Sequence, residues 1–257
     1  MVEPGGTVDL AYAGPISLLA CSADGRFLAV FGRSAPGGDV GQTNRAIFVY
    51  HWDDEAKVWA QIGVLTDFAS DYVEFPDLER LTVSQLLFNP VTNDLAVLFY
   101  VEFAFGSGAT TRSQAYVEVY PVSTGGIGGR SDVLDLDPAP FPNTEVQTLT
   151  GGAWSPDGTV LVLRLDRLEK DEFTPPGARL TNGLEAFSYS GGAFGGSLGS
   201  PSGPDLGICY QVSFHPSGGY VLAQFIEDAT GLPYNDAPGG PTFGVWSISS
   251  GGFGGEV

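Results

Sequence analysis

Few residues of this chain are suited to chemistry, and their spacing limits what each set can do. Histidine, the usual general base and zinc ligand, occurs only at His51 and His215. Two imidazoles this far apart assemble neither a Ser-His-Asp triad nor a zinc site of several imidazoles. Gly195-Gly196-Ser197-Leu198-Gly199 matches the G-x-S-x-G pattern of a hydrolase nucleophile elbow, which requires a strand, a sharp turn and a helix. Here no helical pattern follows, so the serine reads as part of a turn. Carboxylates cluster at Asp132, Asp135 and Asp137, and again at Asp166, Glu169, Asp171 and Glu172. Calcium takes oxygen ligands from loops of this kind. Neither cluster has the glycine and closing glutamate of a calcium loop, so solvated acid is the plainer expectation. Asp132, Asp135 and Asp137 remain the calcium candidates; no catalytic or cofactor-binding residue is expected. The glycine-rich corners carry no G-K-[ST] and open no helix, which argues against a phosphate cradle.

The element that must position these residues is a repeat. Ala153–Leu165 reads AWSPDGTVLVLRL, and the same pattern recurs as CSADGRFLAV around Cys21, FNPVTNDLAV around Phe88 and FHPSGGYVLA around Phe214. Cys21, Phe88, Trp154 and Phe214 share one column, at intervals of 67, 66 and 60 residues. A period of this size with one supersecondary unit per copy is the signature of a solenoid or propeller. Each copy predicts a hairpin: an apolar run, a turn in which glycine accepts positive φ, and a second apolar run. The second runs, Phe27–Phe31, Leu95–Tyr100, Val160–Leu165 and Tyr220–Phe225, are apolar almost throughout and so predict strands covered on both faces. Third strands are predicted at Ile47–Tyr50, Tyr116–Tyr120, Leu184–Phe187 and Phe243–Trp246 from β-branched and aromatic content. Glycine-rich corners at 123–134, 190–199 and 249–257 then lead to a fourth strand, and an ordinary polar turn at 53–65 does so in the first copy. The reading is all-β: a single β-propeller domain over 1–257, with four blades of four antiparallel strands at about 1–66, 67–134, 135–199 and 200–257. The N-terminal segment falls in phase with a closing strand, so packing between first and last blades is expected to close the ring. An open array completed by another subunit is the alternative.

Composition bounds the function. The chain has 30 acidic residues against 11 basic ones, for a net charge of −19. Such a surface repels phosphate backbones and anionic membranes, which excludes nucleic-acid binding as an expectation. With 43% hydrophobic residues the chain can bury a full core, and 37 glycines with 18 prolines suit many turns. Cys21 lies in the shared column, whereas Cys209 lies five residues before its own. That stagger is roughly 16 Å along a strand, too far for a disulfide between blades in register, so both read as buried free thiols. MVEPGGTVDL has neither the basic start nor the apolar stretch of a secretory leader, and no run is long enough for a membrane helix. Asp166–Asp171 is the one short helix candidate.

The loops between second and third strands, 32–45, 102–114, 166–183 and 227–242, vary in length and chemistry and fall on one side of a propeller. Variable loops on a rigid scaffold are the usual contact surface. The contact candidates are Arg33, Asp39, Arg45, Phe105, Arg112, Arg167, Phe173, Tyr234 and Asp236.

The hairpin unit combined with an aromatic-x-S-G-G-x-F-G-G corner resembles the propeller-like repeats of bacteriophage and prophage virion proteins. The residues that carry it are Trp154–Leu163 with Phe187–Gly196, Phe214–Ala223 with Trp246–Gly255, and Phe88–Val97 with Tyr120–Gly129. The S-P-D-G hairpin also occurs in tryptophan-aspartate repeat proteins and in periplasmic propellers. The resemblance implies a non-enzymatic virion component on the tail or capsid exterior, with other virion proteins, further copies of itself, or a host-surface receptor or glycan as partners. The alternatives are a propeller enzyme of lactonase or glycan-hydrolase type using Asp166 or Glu227, and an intracellular interaction scaffold. Outside a virion the expected location is the cytoplasm.

Overall fold

Hairpin turns set the frame of this computed structural model, which describes residues 16–33, 45–69, 78–105, 110–136, 144–169, 179–181, 183–201, 208–226 and 242–257. In the first turn Ser22 Oγ accepts the Phe27 N–H at 2.9 Å and donates to Asp24 Oδ1 at 2.6 Å, and the same carboxylate oxygen accepts the Arg26 N–H at 3.0 Å. The third repeats the pattern: Ser155 Oγ accepts from Val160 N–H and donates to Asp157 Oδ1, which accepts from Thr159 N–H. Gly25 and Gly158 take φ of 71° and 70°, a region open to glycine at no steric cost. The fourth turn substitutes His215, whose Nδ1 accepts from Ser217 N–H. The second has one residue more, so Asn93 rather than glycine takes the positive φ, and Asn89 Oδ1 accepts from Val91 and Thr92 N–H.

Four antiparallel sheets of four strands follow from these turns, each strand hydrogen-bonded to the next in chain order. The first contains β1 (Ile16–Cys21), β2 (Phe27–Arg33), β3 (Arg45–Asp53) and β4 (Val58–Leu65). The second contains β5 (Leu78–Phe88), β6 (Leu95–Phe105) and β7 (Thr110–Tyr120). A two-stranded ribbon, β8 (Val122–Ser123) with β9 (Gly126–Ile127), intervenes before the sheet's last strand, β10 (Asp132–Asp135). β11 (Thr144–Trp154), β12 (Val160–Glu169), β14 (Leu184–Ser190) and β15 (Ala193–Gly199) make the third sheet, with the short β13 (Arg179–Thr181) added on β12. The fourth contains β16 (Ile208–Phe214), β17 (Tyr220–Ile226), β18 (Thr242–Ser249) and β19 (Gly252–Glu256).

The glycine corner of the second repeat is therefore a ribbon of its own, and it fills a gap in the first sheet. Gly63 on β4 leaves room for Ile127, whose Cγ2 would lie 2.8 Å from any Cβ added there. Strands also run further than the sequence suggests. Asp166–Glu169 continues β12, paired with β11 and β13, so the short helix expected at Asp166–Asp171 does not begin there. Ladder hydrogen bonds on both sides hold that segment extended despite its helix-compatible composition.

Side-chain alternation along each strand distributes the core into layers between successive sheets. Phe27, Ala29, Ile47 and Val49 of the first sheet meet Leu86, Leu95, Val97 and Phe99 of the second. Ala96, Leu98 and Val117 of the second meet Leu149, Leu161, Leu163 and Phe187 of the third. Val160, Val162 and Ala186 of the third meet Val221, Ala223, Phe225 and Trp246 of the fourth. A fourth cluster, Leu28, Val30 and Tyr50, is confined to the first sheet's other face. Among the described residues no cluster joins the first sheet to the fourth, so the expected closing contact is not seen there. Tyr220 and Leu222 are each 42% exposed, which corrects the expectation that Tyr220–Phe225 is covered on both faces. Cys21 is likewise exposed while Cys209 is buried, and neither is disulfide-bonded. The shared column faces the preceding sheet at Phe88, Trp154 and Phe214, and among the described residues no sheet packs against Cys21 in the same way.

Candidate functional site

The polar groups that come together are on the first strands of the sheets and on Arg164 of β12, and a recurring irregularity places them. Pairing to the second strand slips between Ile16 and Leu18, between Val83 and Gln85, between Leu149 and Gly151, and between Cys209 and Gln211, with a further slip near the start of β5 and of β11. The bulged residues are Ser17, Ser84, Thr150 and Tyr210, and each stands four positions before its column residue Cys21, Phe88, Trp154 or Phe214. A bulge bends its strand and turns backbone groups away from the ladder, which frees them for other partners. All four bulged residues carry a hydroxyl.

Neighbouring sheets use these freed groups to bind one another. Ser84 Oγ donates to the carbonyl of Leu149, the residue before the next bulge. Gln85 Oε1 accepts the Gly152 N–H at 2.8 Å. Arg164, on β12, donates through Nη2 to the Thr150 carbonyl and through Nη1 to the Tyr210 carbonyl, so that one guanidinium spans two consecutive bulges. Gly151 has no side chain to interfere: a Cβ there would collide with Arg164 Nη2 and Gln85 Oε1. The cluster is thus a brace of side chains on backbone carbonyls, each charge-assisted bond from the arginine stronger than a neutral one.

A second polar cluster lies inside the second sheet. Glu118 is fully buried, accepting from Arg130 Nη1 at 2.7 Å, Tyr120 Oη at 2.6 Å and Ala69 N–H at 3.0 Å. Burial, and then the neighbouring Glu118 charge, pushes the Tyr120 hydroxyl far above its ordinary pKa, so it stays a donor. A buried carboxylate with three donors is a clasp that fixes the chain entering at Ala69. Tyr189 Oη similarly donates to the buried Asp94 at 2.8 Å, joining the third sheet to the second turn. Burial and that bond raise the Tyr189 hydroxyl as well.

The expected site residues that fall among the described ones lie on strands of the first three sheets. Arg33 and Arg45 pair with each other at the ends of β2 and β3. Phe105, Arg112 and Arg167 lie in strands β6, β7 and β12 rather than in loops, because β6 pairs with β7 as far as Phe105 and Thr110 and β12 continues alongside β13. Asp39, Phe173, Tyr234, Asp236 and Glu227 lie outside the described residues, as does Asp137. Of the calcium candidates, Asp132 Oδ2 accepts the Phe194 N–H at 2.7 Å, binding the second sheet to the third, and Asp135 is exposed on the same strand. Among the described residues no three His, Cys, Asp or Glu side chains gather as a metal site. Ser197 is on β15, a strand that continues to Gly199, and donates to Glu185 Oε1. His51 packs its ring on Phe27, with centroids 5.3 Å apart. The bulge brace was missed at the sequence level; the signal available was the hydroxyl column four residues before Cys21, Phe88, Trp154 and Phe214.

These features define an all-β protein of repeated four-stranded antiparallel sheets, braced edge to edge at bulged first strands. No family model matches the chain and no curated protein matches it. Among solved structures it is similar to the Hadza microbial sialidase Hz136, with a TM-score of 0.51 and 13% identity over 91% of this chain. The likeness is one of fold, and this chain spans 44% of that one's length.

Proposed function

We propose that this chain is a non-enzymatic contact protein of propeller type, in which stacked sheets form a rigid body that presents its hairpin tips and outer faces to a partner. The observation that carries this reading is the use made of the polar groups at the bulged strands. Ser84, Gln85 and Arg164 are spent on backbone groups, three of their four bonds reaching a neighbouring sheet, and hold the body together. Rigid placement of loops is what a contact protein needs, because it lowers the ordering cost of binding. The long β6–β7 hairpin, paired as far as Phe105 and Thr110, brings Phe105 and Arg112 to its end. The setting on a phage tail or capsid exterior rests on the repeat resemblance alone. Proteomic analysis of purified particles tests that setting: the chain is expected in their inventory, and its absence contradicts it. Contact itself is tested by binding of labelled protein to particles or host cells, with Phe105→Ser and Arg112→Ala expected to weaken it and unchanged binding by both counting against these tips.

A second reading, a glycan-active enzyme, is favoured by the fold likeness to a protein named a sialidase. Turnover of a fluorogenic sialoside or lactone by the purified chain would replace the contact reading with this one.

A further inference from the structure

We propose that two copies of this chain associate through the outer face of the fourth sheet, in a two-fold contact centred near Leu222. This face is formed by Gln211 and Ser213 on β16, Tyr220, Leu222 and Gln224 on β17, and Phe243, Val245 and Ser247 on β18. Register sets Ser213, Leu222 and Val245 side by side, with Gln211, Gln224 and Phe243 as the next row. The opposite face, with Val221, Ala223, Phe225 and Trp246, is buried against the third sheet. Phe243 is 59% exposed, although the equivalent faces of the other three sheets are each buried beneath the sheet that follows. The fourth face thus continues a packing series that three internal interfaces establish.

Charge selects the occupant. In a chain of net charge −19, this face carries eight residues and no ionisable acid or base that is charged at neutral pH. Two such anions repel at most orientations and approach at least cost where both are neutral. A cationic partner would meet acids instead. The outward face of the first sheet is less available to a second copy, because Leu28, Val30 and Tyr50 on it are already buried within the chain. Among the described residues the exposed and neutral sheet face that a second copy offers is the same one, which makes the contact isologous and closed at two. The mixture of glutamine and serine with tyrosine, leucine and phenylalanine is that of a surface stable in water as well as in contact. A single sheet face is small, so the dimer forms in a concentration-dependent manner.

Sedimentation equilibrium of the full chain over a concentration series tests this. The expected result is a mass rising from monomer to dimer and stopping there, with association strengthened by added salt as the two net charges are screened. Leu222→Asp, which sets like charges against each other across the two-fold axis, is expected to weaken association at least tenfold, while Val91→Asp at an exposed turn leaves it unchanged. Leu222→Cys in a Cys21→Ser background is expected to cross-link on oxidation. Monomer at every concentration, growth beyond dimer, weakening by salt, or a Leu222→Asp chain that dimerises like the parent would each overturn the proposal. Thermal melting of each variant separates loss of contact from loss of fold.

Discussion

Leu95, Val97 and Phe99 of the second sheet face the first sheet, and Ala96, Leu98 and Tyr100 face the third. In the fourth sheet Val221, Ala223 and Phe225 face the third sheet, whereas among the described residues no sheet covers Tyr220, Leu222 and Gln224. The two strands occupy the same place in the repeat. Their difference shows that burial here is a property of position in the stack: a residue becomes core when a further sheet follows. The chain also records this in its chemistry. Where a sheet follows, the following face is mostly apolar, and its polar members Gln85 and Arg164 bond to backbone groups of the next sheet. In the fourth sheet glutamine and serine alternate with apolar residues.

The strongest way to break this comparison is to truncate one large side chain on each side of it. Phe99 is fully buried and stacks on Tyr116 at 5.6 Å, so Phe99→Ala is expected to cost about 3–5 kcal/mol of stability in denaturant unfolding. Phe243→Ala, on the open face of the fourth sheet, is expected to cost no more than about 0.5 kcal/mol. Equal losses would mean that Phe243 is covered in solution.

The Glu118 clasp sharpens the contrast, since no counterpart exists among the described residues of the fourth sheet. Glu118→Gln removes the charge facing Arg130 and one acceptor shared by Tyr120 and Ala69; the expected cost is about 1–3 kcal/mol. A smaller difference separates the turns. Ser155, buried, accepts the Val160 N–H, so Ser155→Ala is expected to cost about 1–2 kcal/mol; Ser217→Ala, exposed in the equivalent turn, should change stability by less than about 0.5 kcal/mol.

The last effect is on acid stability. Ser155 Oγ–H first, with the Thr159 N–H against the effect of partial burial, holds the Asp157 carboxyl below its ordinary 3.8. Asp24 is also lowered: partial burial pushes it up, but bonds from Ser22 and Arg26 outweigh that. A depressed carboxyl contributes stability above its unfolded pKa and loses it as pH falls through the folded value. Unfolding midpoints should therefore decline below about pH 4, and Asp157→Asn should flatten part of that decline. An unchanged acid limb would leave the turn carboxylates without a role.

The repeat was legible because each turn needs particular residues: a side-chain acceptor at Ser22, Asn89, Ser155 or His215, and a positive φ soon after. All four sheets follow from those turns and from period-two alternation. Three features were not legible. The exposure of Tyr220 and Leu222 depends on what lies beyond the fourth sheet, which an apolar run does not encode. The extension of β12 through Asp166–Glu169 comes from pairing with β11 and β13 on either side, against local composition. The bulge brace depends on register slips that leave only a hydroxyl in the sequence, and on Arg164, a charged residue inside an otherwise apolar run.

Hydroxyl-radical footprinting of the chain at high dilution, read by mass spectrometry, tests the stacking order most directly. Stacked sheets with one open end predict rapid labelling of Tyr220, Leu222 and Phe243 and strong protection of their repeat equivalents Phe27, Val162 and Ile47. Protection of Phe243 and Leu222 to the same degree as Val162 in the dilute monomer would contradict it.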